Sequence, residues 1–176
     1  MDPLKLIGEG IGLIAIIEGF MIYYSSTRER ILLFKFISDA LWFFNLVLLG
    51  GYTGALLNLI AMGRETVFYF RDKKKWASTP LWLAVFLFIT AASPVFSLIS
   101  GREGWYALFP AAGSMLGVIA FYQKKPAATR AVGFFSQALW LIYACFIRNY
   151  SSAVCNAVLL ASAVAGTVRA GVKNKP

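Results

Sequence analysis

The chain has 176 residues, 59% of them hydrophobic and 14% charged, with a formal net charge of +9 and no histidine. Such a composition excludes an ordinary soluble enzyme and places the chain in the membrane class, because long apolar runs are separated by short basic segments. The commonest metal ligand and the commonest near-neutral proton carrier are both missing, so any proton traffic has to use carboxylates.

A helix needs roughly 20 mostly apolar residues to cross a bilayer, and seven stretches meet that need: 4–24, 31–49, 51–70, 80–98, 105–123, 131–148 and 150–169. The first is read as a retained helix and not a signal peptide, since Glu9 and Glu18 interrupt it and Lys5 is the one base near its start. Gly8 and Gly12 in this stretch, and Gly113 and Gly117 in the fifth, have the small-xxx-small spacing that lets helix backbones approach closely. Pro94 and Pro110 are expected to bend the fourth and fifth helices. Cys145 and Cys155 have no metal-ligand spacing and read as small packing residues. Trp76, Trp82, Trp105, Tyr52 and Tyr150 fall near predicted membrane boundaries, where aromatic residues act as interfacial anchors.

Residues 38–71 align without a gap on residues 136–169, an offset of 98. The alignment pairs Ser38 with Ser136, Ala40 with Ala138, Leu41 with Leu139, Trp42 with Trp140, Tyr52 with Tyr150, Ala55 with Ala153, Asn58 with Asn156 and Arg71 with Arg169. Paired Trp, Tyr and Asn in hydrophobic runs point to a duplicated unit. Two three-helix units in the same orientation need one extra crossing between them, so the expected fold is an all-α membrane protein of seven transmembrane helices. It comprises a single membrane domain, 1–176, with parallel repeats at 4–70 and 105–169 around a linker helix at 80–98.

Arg28, Arg30, Arg71, Lys73, Lys74, Lys75, Lys124, Lys125, Arg130, Arg169, Lys173 and Lys175 fall on one side of this arrangement, and Lys5, Arg102 and Arg148 on the other. The positive-inside rule then puts the amino terminus outside and the carboxyl terminus in the cytoplasm. The positive charge thus records topology, and no nucleic-acid partner is expected.

Asn58 and Asn156 are the leading candidates for a binding site, because a carboxamide in hydrocarbon is costly unless satisfied and here recurs at the same place in both units. Asn58 sits about 10 Å below the outer end of its helix, and Trp42 about 16 Å above the inner end of the preceding one. Trp42 and Trp140 with the two amides would offer flat apolar walls and hydrogen bonds to a small polar solute. In a purely structural role the amides would join helices and the indoles would fill the core. Charges are confined to the inner half of the first unit: Glu18, Lys35, Asp39, Arg64 and Glu65 stand opposite Leu116, Gly133, Gln137, Ser162 and Ala163. Lys35 and Asp39 are four residues apart on one helix face, and Glu65 is seven beyond Asn58 on the same stripe. This set is expected to form a neutralising charge network or an inner gate.

The stretch ISDALWFFNLVLLGGYTGALLNLIAMGRETVFYFRDKKKWAS, residues 37–78, with the basic TRER before it, resembles the bacterial YgjV-type inner membrane protein family. The resemblance covers nearly the whole chain and implies a multi-pass protein of the bacterial cytoplasmic membrane. More distantly, the chain is similar to SWEET and other PQ-loop carriers, in which an asparagine on each third helix lines a central sugar pocket. Asn58 and Asn156 match those positions. The Pro-Gln dipeptide and the four symmetric prolines of those carriers have no counterpart here.

These readings lead to an expected carrier of a small polar solute, sugar- or vitamin-like, working by alternating access between the two units. The competing reading is a non-transporting membrane receptor or assembly protein of the same fold. No nucleophile with an adjacent base and no metal-ligand cluster is apparent, so catalytic residues, metal and cofactor are all expected to be absent. The expected partners are the solute and the lipid bilayer, with a homo-oligomer left open.

Overall fold

The computed structural model describes residues 3–24, 28–71, 73–122 and 126–173. Lys124, Lys125 and Lys175 lie outside the described residues, as do the side chains of Arg28, Arg130, Ser162, Ala163, Arg169 and Lys173. Among the described residues seven α-helices form: α1 (Pro3–Tyr24), α2 (Arg28–Leu48), α3 (Tyr52–Phe70), α4 (Leu81–Ile99), α5 (Leu108–Tyr122), α6 (Pro126–Phe146) and α7 (Tyr150–Lys173). Short 3-10 turns at Lys75–Ala77 and Trp105–Ala107 precede α4 and α5, and no strand occurs among the described residues.

The distribution of apolar and polar side chains is inverted relative to a soluble protein. Leu6 is 61% exposed, Ile17 69%, Phe88 74% and Ile99 83%, whereas Asn45, Thr53 and Asn149 are completely buried. An apolar surface over a hydrogen-bonded polar interior is what a hydrocarbon solvent demands. By length and apolarity taken alone, α4 is the one helix among the described residues that clearly suffices to cross a membrane. The seven expected spans are therefore present as helices, but α2 and α3 lose apolarity to Lys35, Asp39, Arg64 and Glu65, and α5 is only 15 residues long.

Helix α5 is shorter than the expected 105–123 because its first residues wind as the 3-10 turn. Pro110 consequently falls in the first turn of α5, where a missing N–H leaves no broken hydrogen bond. It is fully buried and does not interrupt the middle of a helix, contrary to the bend expected from sequence.

Packing follows a cycle. Helix α1 packs on α2, α2 on α3, α3 on α5, α5 on α6, α6 on α7, and α7 back on α1, while α4 lies against α3 and α5. Close backbone approach makes the α1 to α7 contact: a Cβ on Gly12 would lie 2.0 Å from Ser151 Oγ and 2.8 Å from Asn45 Nδ2.

The turns from α2 to α3 and from α6 to α7 make the same backbone bonds 98 positions apart. Gly51 N donates to Leu46 O (2.8 Å) as Asn149 N donates to Ala144 O (2.9 Å), and Ala55 N to Gly51 O (2.9 Å) as Ala153 N to Asn149 O (3.0 Å). Each turn passes through one left-handed residue, Gly50 at φ 80° and Arg148 at φ 54°. The conformation is free for glycine and strained for arginine. Arg148→Gly is therefore expected to raise stability by roughly 0.5–1 kcal/mol, the relief of strain exceeding the added flexibility of the unfolded chain. Thermal melting in detergent checks this, and an unchanged or lower midpoint contradicts it.

Candidate functional site

The first N–H groups of a helix have no partner within it, and away from water they must find acceptors elsewhere. The starts of α3 and α7 solve this with carboxylates from distant parts of the chain. Glu9 of α1 accepts from Tyr150 N (2.9 Å) and Ser151 N (2.8 Å) at the start of α7. Glu103, in the connection between α4 and α5, accepts from Thr53 N (2.5 Å) at the start of α3. A negative charge at a helix N-terminus is also favoured by the helix dipole.

The next N–H of each helix is held differently. Asn149 caps α7 directly, its Oδ1 accepting from Ser152 N (2.9 Å) and from Ser151 Oγ (3.0 Å). Gly51, at the matching position before α3, has no side chain, and the hydroxyl of Tyr143 on α6 takes over by accepting from Gly54 N (3.1 Å). Tyr143 in turn donates to Glu103 Oε1 (2.6 Å). A side chain on Gly51 would collide with this arrangement, since its Cβ would lie 2.7 Å from Ile147 Cδ1 and 3.0 Å from the tyrosine oxygen.

Asn45, which occupies on α2 the position that Tyr143 has on α6, completes the polar layer. Its Oδ1 accepts from Asn149 Nδ2 (2.6 Å), and its Nδ2 donates to Gly8 O (2.8 Å) and Ser151 Oγ (3.2 Å). Thr53 Oγ1 donates to Ser97 Oγ of α4 (2.6 Å). Together these bonds tie α1, α2, α3, α4, α6 and α7 at one end of the bundle. Apolar packing of Leu46, Ala55 and Tyr143 with Phe43, Tyr106, Phe109, Trp140 and Ile147 fills the same end.

The residues singled out from sequence lie deeper. Asn58 and Asn156 are both buried, and each donates Nδ2 to a carbonyl four residues back on its own helix, Gly54 O (2.9 Å) and Ser152 O (2.8 Å). Their amides therefore do not join helices through these bonds. Trp140 lies between helices: its ring is 3.3 Å from where a Cβ on Gly54 would be and 2.9 Å from where one on Gly113 would be. Trp42 is half-buried on α2. The second face of Gly113 is held by Ser136 Oγ, which donates to its carbonyl (2.7 Å).

The charged residues of α1, α2 and α3 gather toward the opposite end. Lys35 pairs with Asp39, and Arg64 with Glu65 at 3.0 Å. Lys35 and Asp39 both act on Glu65, and Glu18 faces Ser38, Lys35 and Asp39. A cavity of about 410 Å³ opens beside this group between α2 and α3, lined by Arg30, Leu32, Leu33, Phe36, Glu65, Thr66, Tyr69 and Phe70. None of Trp42, Asn58, Trp140 and Asn156 lines it. No group of three or more ligand-type side chains with metal-binding geometry occurs among the described residues.

An all-helical bundle with an apolar exterior, a polar interior and buried charge agrees with one comparison. The sequence profile of the YgjV-type family, described as bacterial inner membrane protein, matches residues 6–174. The chain belongs to this family. No curated protein and no solved structure matches it. As a YgjV-type protein the chain is located in the bacterial inner membrane, and its helices accord with a multi-pass arrangement.

Sequence reasoning missed Glu103, Tyr143, Asn45, Asn149 and Ser151, and it read Glu9 merely as an interruption of an apolar stretch. A signal for part of this was present: Asn149-Tyr-Ser-Ser has the form of a helix start, with a capping asparagine and small hydroxyl residues behind it.

The two carboxylate ties differ in burial, since Glu103 serves buried donors and Glu9 serves exposed and half-buried ones. Glu103→Ala is expected to cost roughly 2–4 kcal/mol by stranding Thr53 N–H and the Tyr143 hydroxyl, and Glu9→Ala roughly 0.5–2 kcal/mol. Equal losses, or the reverse order in detergent melts, would contradict this assignment.

Proposed function

We propose that this YgjV-type protein is a carrier that passes a small polar solute across the inner membrane by moving α1–α3 against α5–α7. The observation that carries the reading is the cycle of six helices tied at one end by bonds that cross between these two groups: Glu9 to α7, Asn45 to Asn149, Glu103 to α3 and Tyr143 to α3. Opening that end requires a small, defined set of hydrogen bonds to break, and a solute can supply the compensating interactions. Loop charge makes the tied end the outer one on this reading, with Lys5, Arg102 and Arg148 there. Recurrence of the turn geometry at an offset of 98 supports treating the two groups as repeats of a SWEET-like 3+1+3 plan.

Asn58 and Asn156 remain the proposed solute ligands, with Trp42 and Trp140 as flanking walls. Asn58 is five residues past Thr53 and thus about 8 Å below the tied layer. Each amide now turns its donor to its own helix, and rotating it toward a solute exchanges one hydrogen bond for another at small net cost.

One observation favours the receptor or assembly reading. Trp140 fills the space between Gly54 and Gly113, as a permanent core residue would.

A thermal-shift screen of purified protein against sugars, nucleosides and vitamins is expected to give a stabilising ligand. Its flux into proteoliposomes should fall at least about tenfold in Asn58→Ala, Asn156→Ala protein that still folds, equivalent to roughly 1.4 kcal/mol. Undiminished flux would sink the site. A ligand that binds with no flux in either protein would favour the receptor.

A further inference from the structure

Gly54 on α3 and Ser152 on α7 are equivalent at the 98-residue offset, and both are buried. Each carries a first-turn N–H that its own helix cannot serve. Ser152 N finds an acceptor within its own segment, Asn149 Oδ1 at 2.9 Å. Gly54 N finds one on α6, where the Tyr143 hydroxyl accepts at 3.1 Å. Gly51, at the place of Asn149, has no side chain to offer. The neighbouring donors repeat the contrast. Thr53 N is buried and depends on Glu103 from the connection ahead of α5, and Glu103 also receives the Tyr143 hydroxyl. Tyr150 N and Ser151 N depend on Glu9, but in exposed and half-buried surroundings.

Parting of the tied end therefore has unequal effects on the two helix starts. The cap of Ser152 survives, because donor and acceptor belong to one segment. Gly54 and Thr53 lose their acceptors together, since both acceptors belong to the other group of helices, and a buried N–H without an acceptor is costly. Gly54 is also where the midplane residues meet this end. Asn58 Nδ2 donates to Gly54 O (2.9 Å), while Tyr143 Cε1 and the Trp140 ring lie 2.8 Å and 3.3 Å from where a Cβ on Gly54 would be. Trp140 and Tyr143 themselves meet edge to face, with ring centroids 6.0 Å apart. On the other side Asn156 donates to Ser152 O (2.8 Å) and Ser152 Oγ (3.2 Å), both within α7.

We propose that Tyr143 is the positioning residue of the outer closure: its hydroxyl completes the first turn of α3 only while α6 is docked, so this turn loosens whenever the tied end opens, whereas the first turn of α7 keeps its own cap. The cost of opening thus falls on the α3 side. On the carrier reading, a solute that shifts Trp140 or Asn58 acts on Gly54 and through it on Tyr143, which links the midplane site to the closure on one side of the molecule. The opening itself needs no solute, so this inference and the carrier reading can fail separately.

Amide hydrogen exchange of the full-length 15N-labelled protein in lipid, resolved by residue and corrected for intrinsic rates, tests the proposal. Gly54 is expected to exchange at least about tenfold faster than Ser152, although both are buried. Tyr143→Phe, which keeps the ring and removes the hydroxyl, should speed Gly54 further and leave Ser152 unchanged. Gly51→Asn with Tyr143→Asn copies the Asn149 and Asn45 pair onto α3 and should slow Gly54 to the rate of Ser152. Space permits that exchange: a Cβ on Gly51 would meet the Tyr143 oxygen, which the second change removes, and the flexible ends of Ile147 and Leu46. Equal rates at Gly54 and Ser152 in the unmodified protein overturn the proposal, as does a slower Gly54. So does a Tyr143→Phe protein in which both amides speed up alike, or a folded double variant in which Gly54 is not slowed. Should a variant fail to fold, the comparison of the two amides in the unmodified protein decides.

Discussion

Every helix that begins inside a membrane protein exposes N–H groups that lipid cannot satisfy, and in this chain the starts of α3 and α7 govern the whole tied end. Each lies near the meeting of several helices, and each recruits a carboxylate from outside its own helical hairpin. Those recruitments fix where α1 must lie relative to α7 and where the connection ahead of α5 must lie relative to α3. The glycine approaches follow from the same requirement. Gly12 admits Ser151 and Asn45, and Gly51 admits Tyr143, so the small residues serve the polar layer as well as the packing of backbones.

Much of the architecture was legible in the sequence because it depends on local or periodic properties. Apolar runs gave the seven helices to within a few residues, and the four-residue spacing of Lys35 and Asp39 gave their pairing. The backbone bonds of the two turns match at the same 98-residue offset. What it hid was the compensation between unlike residues. At an offset of 98, Glu9 aligns with Ala107 and Glu103 with Lys5, so two carboxylates performing similar tasks appear unrelated in the sequence. Likewise Gly51 aligns with Asn149 and Asn45 with Tyr143. A pair of asparagines on one side does with two short amides what a glycine and a long tyrosine do on the other. Such exchanges conserve space and hydrogen bonds while erasing identity, and only three-dimensional proximity exposes them.

The two ends of the bundle satisfy buried polarity in contrasting ways. At the tied end nearly every buried polar atom has a geometric partner, which gives a stiff and specific arrangement. Toward the other end, four buried carboxylate oxygens of Glu18, Asp39 and Glu65 make no hydrogen bond to another group. A saturated layer resists change, and an unsaturated one beside a cavity responds to whatever ion reaches it. The placement of all these charges in α1, α2 and α3 means that such a response would act on one half of the molecule first.

The crossed carboxylate ties also bear on the order in which the protein is made. Helix α7 emerges to find Glu9 already in place on α1, but α3 enters the membrane before Glu103 has been synthesised. For the span between residues 53 and 103 the nascent chain holds a helix start whose intended acceptor does not yet exist. The first three helices are thus an unfinished structure until the connection after α4 arrives, whereas the start of α7 finds its acceptor already made.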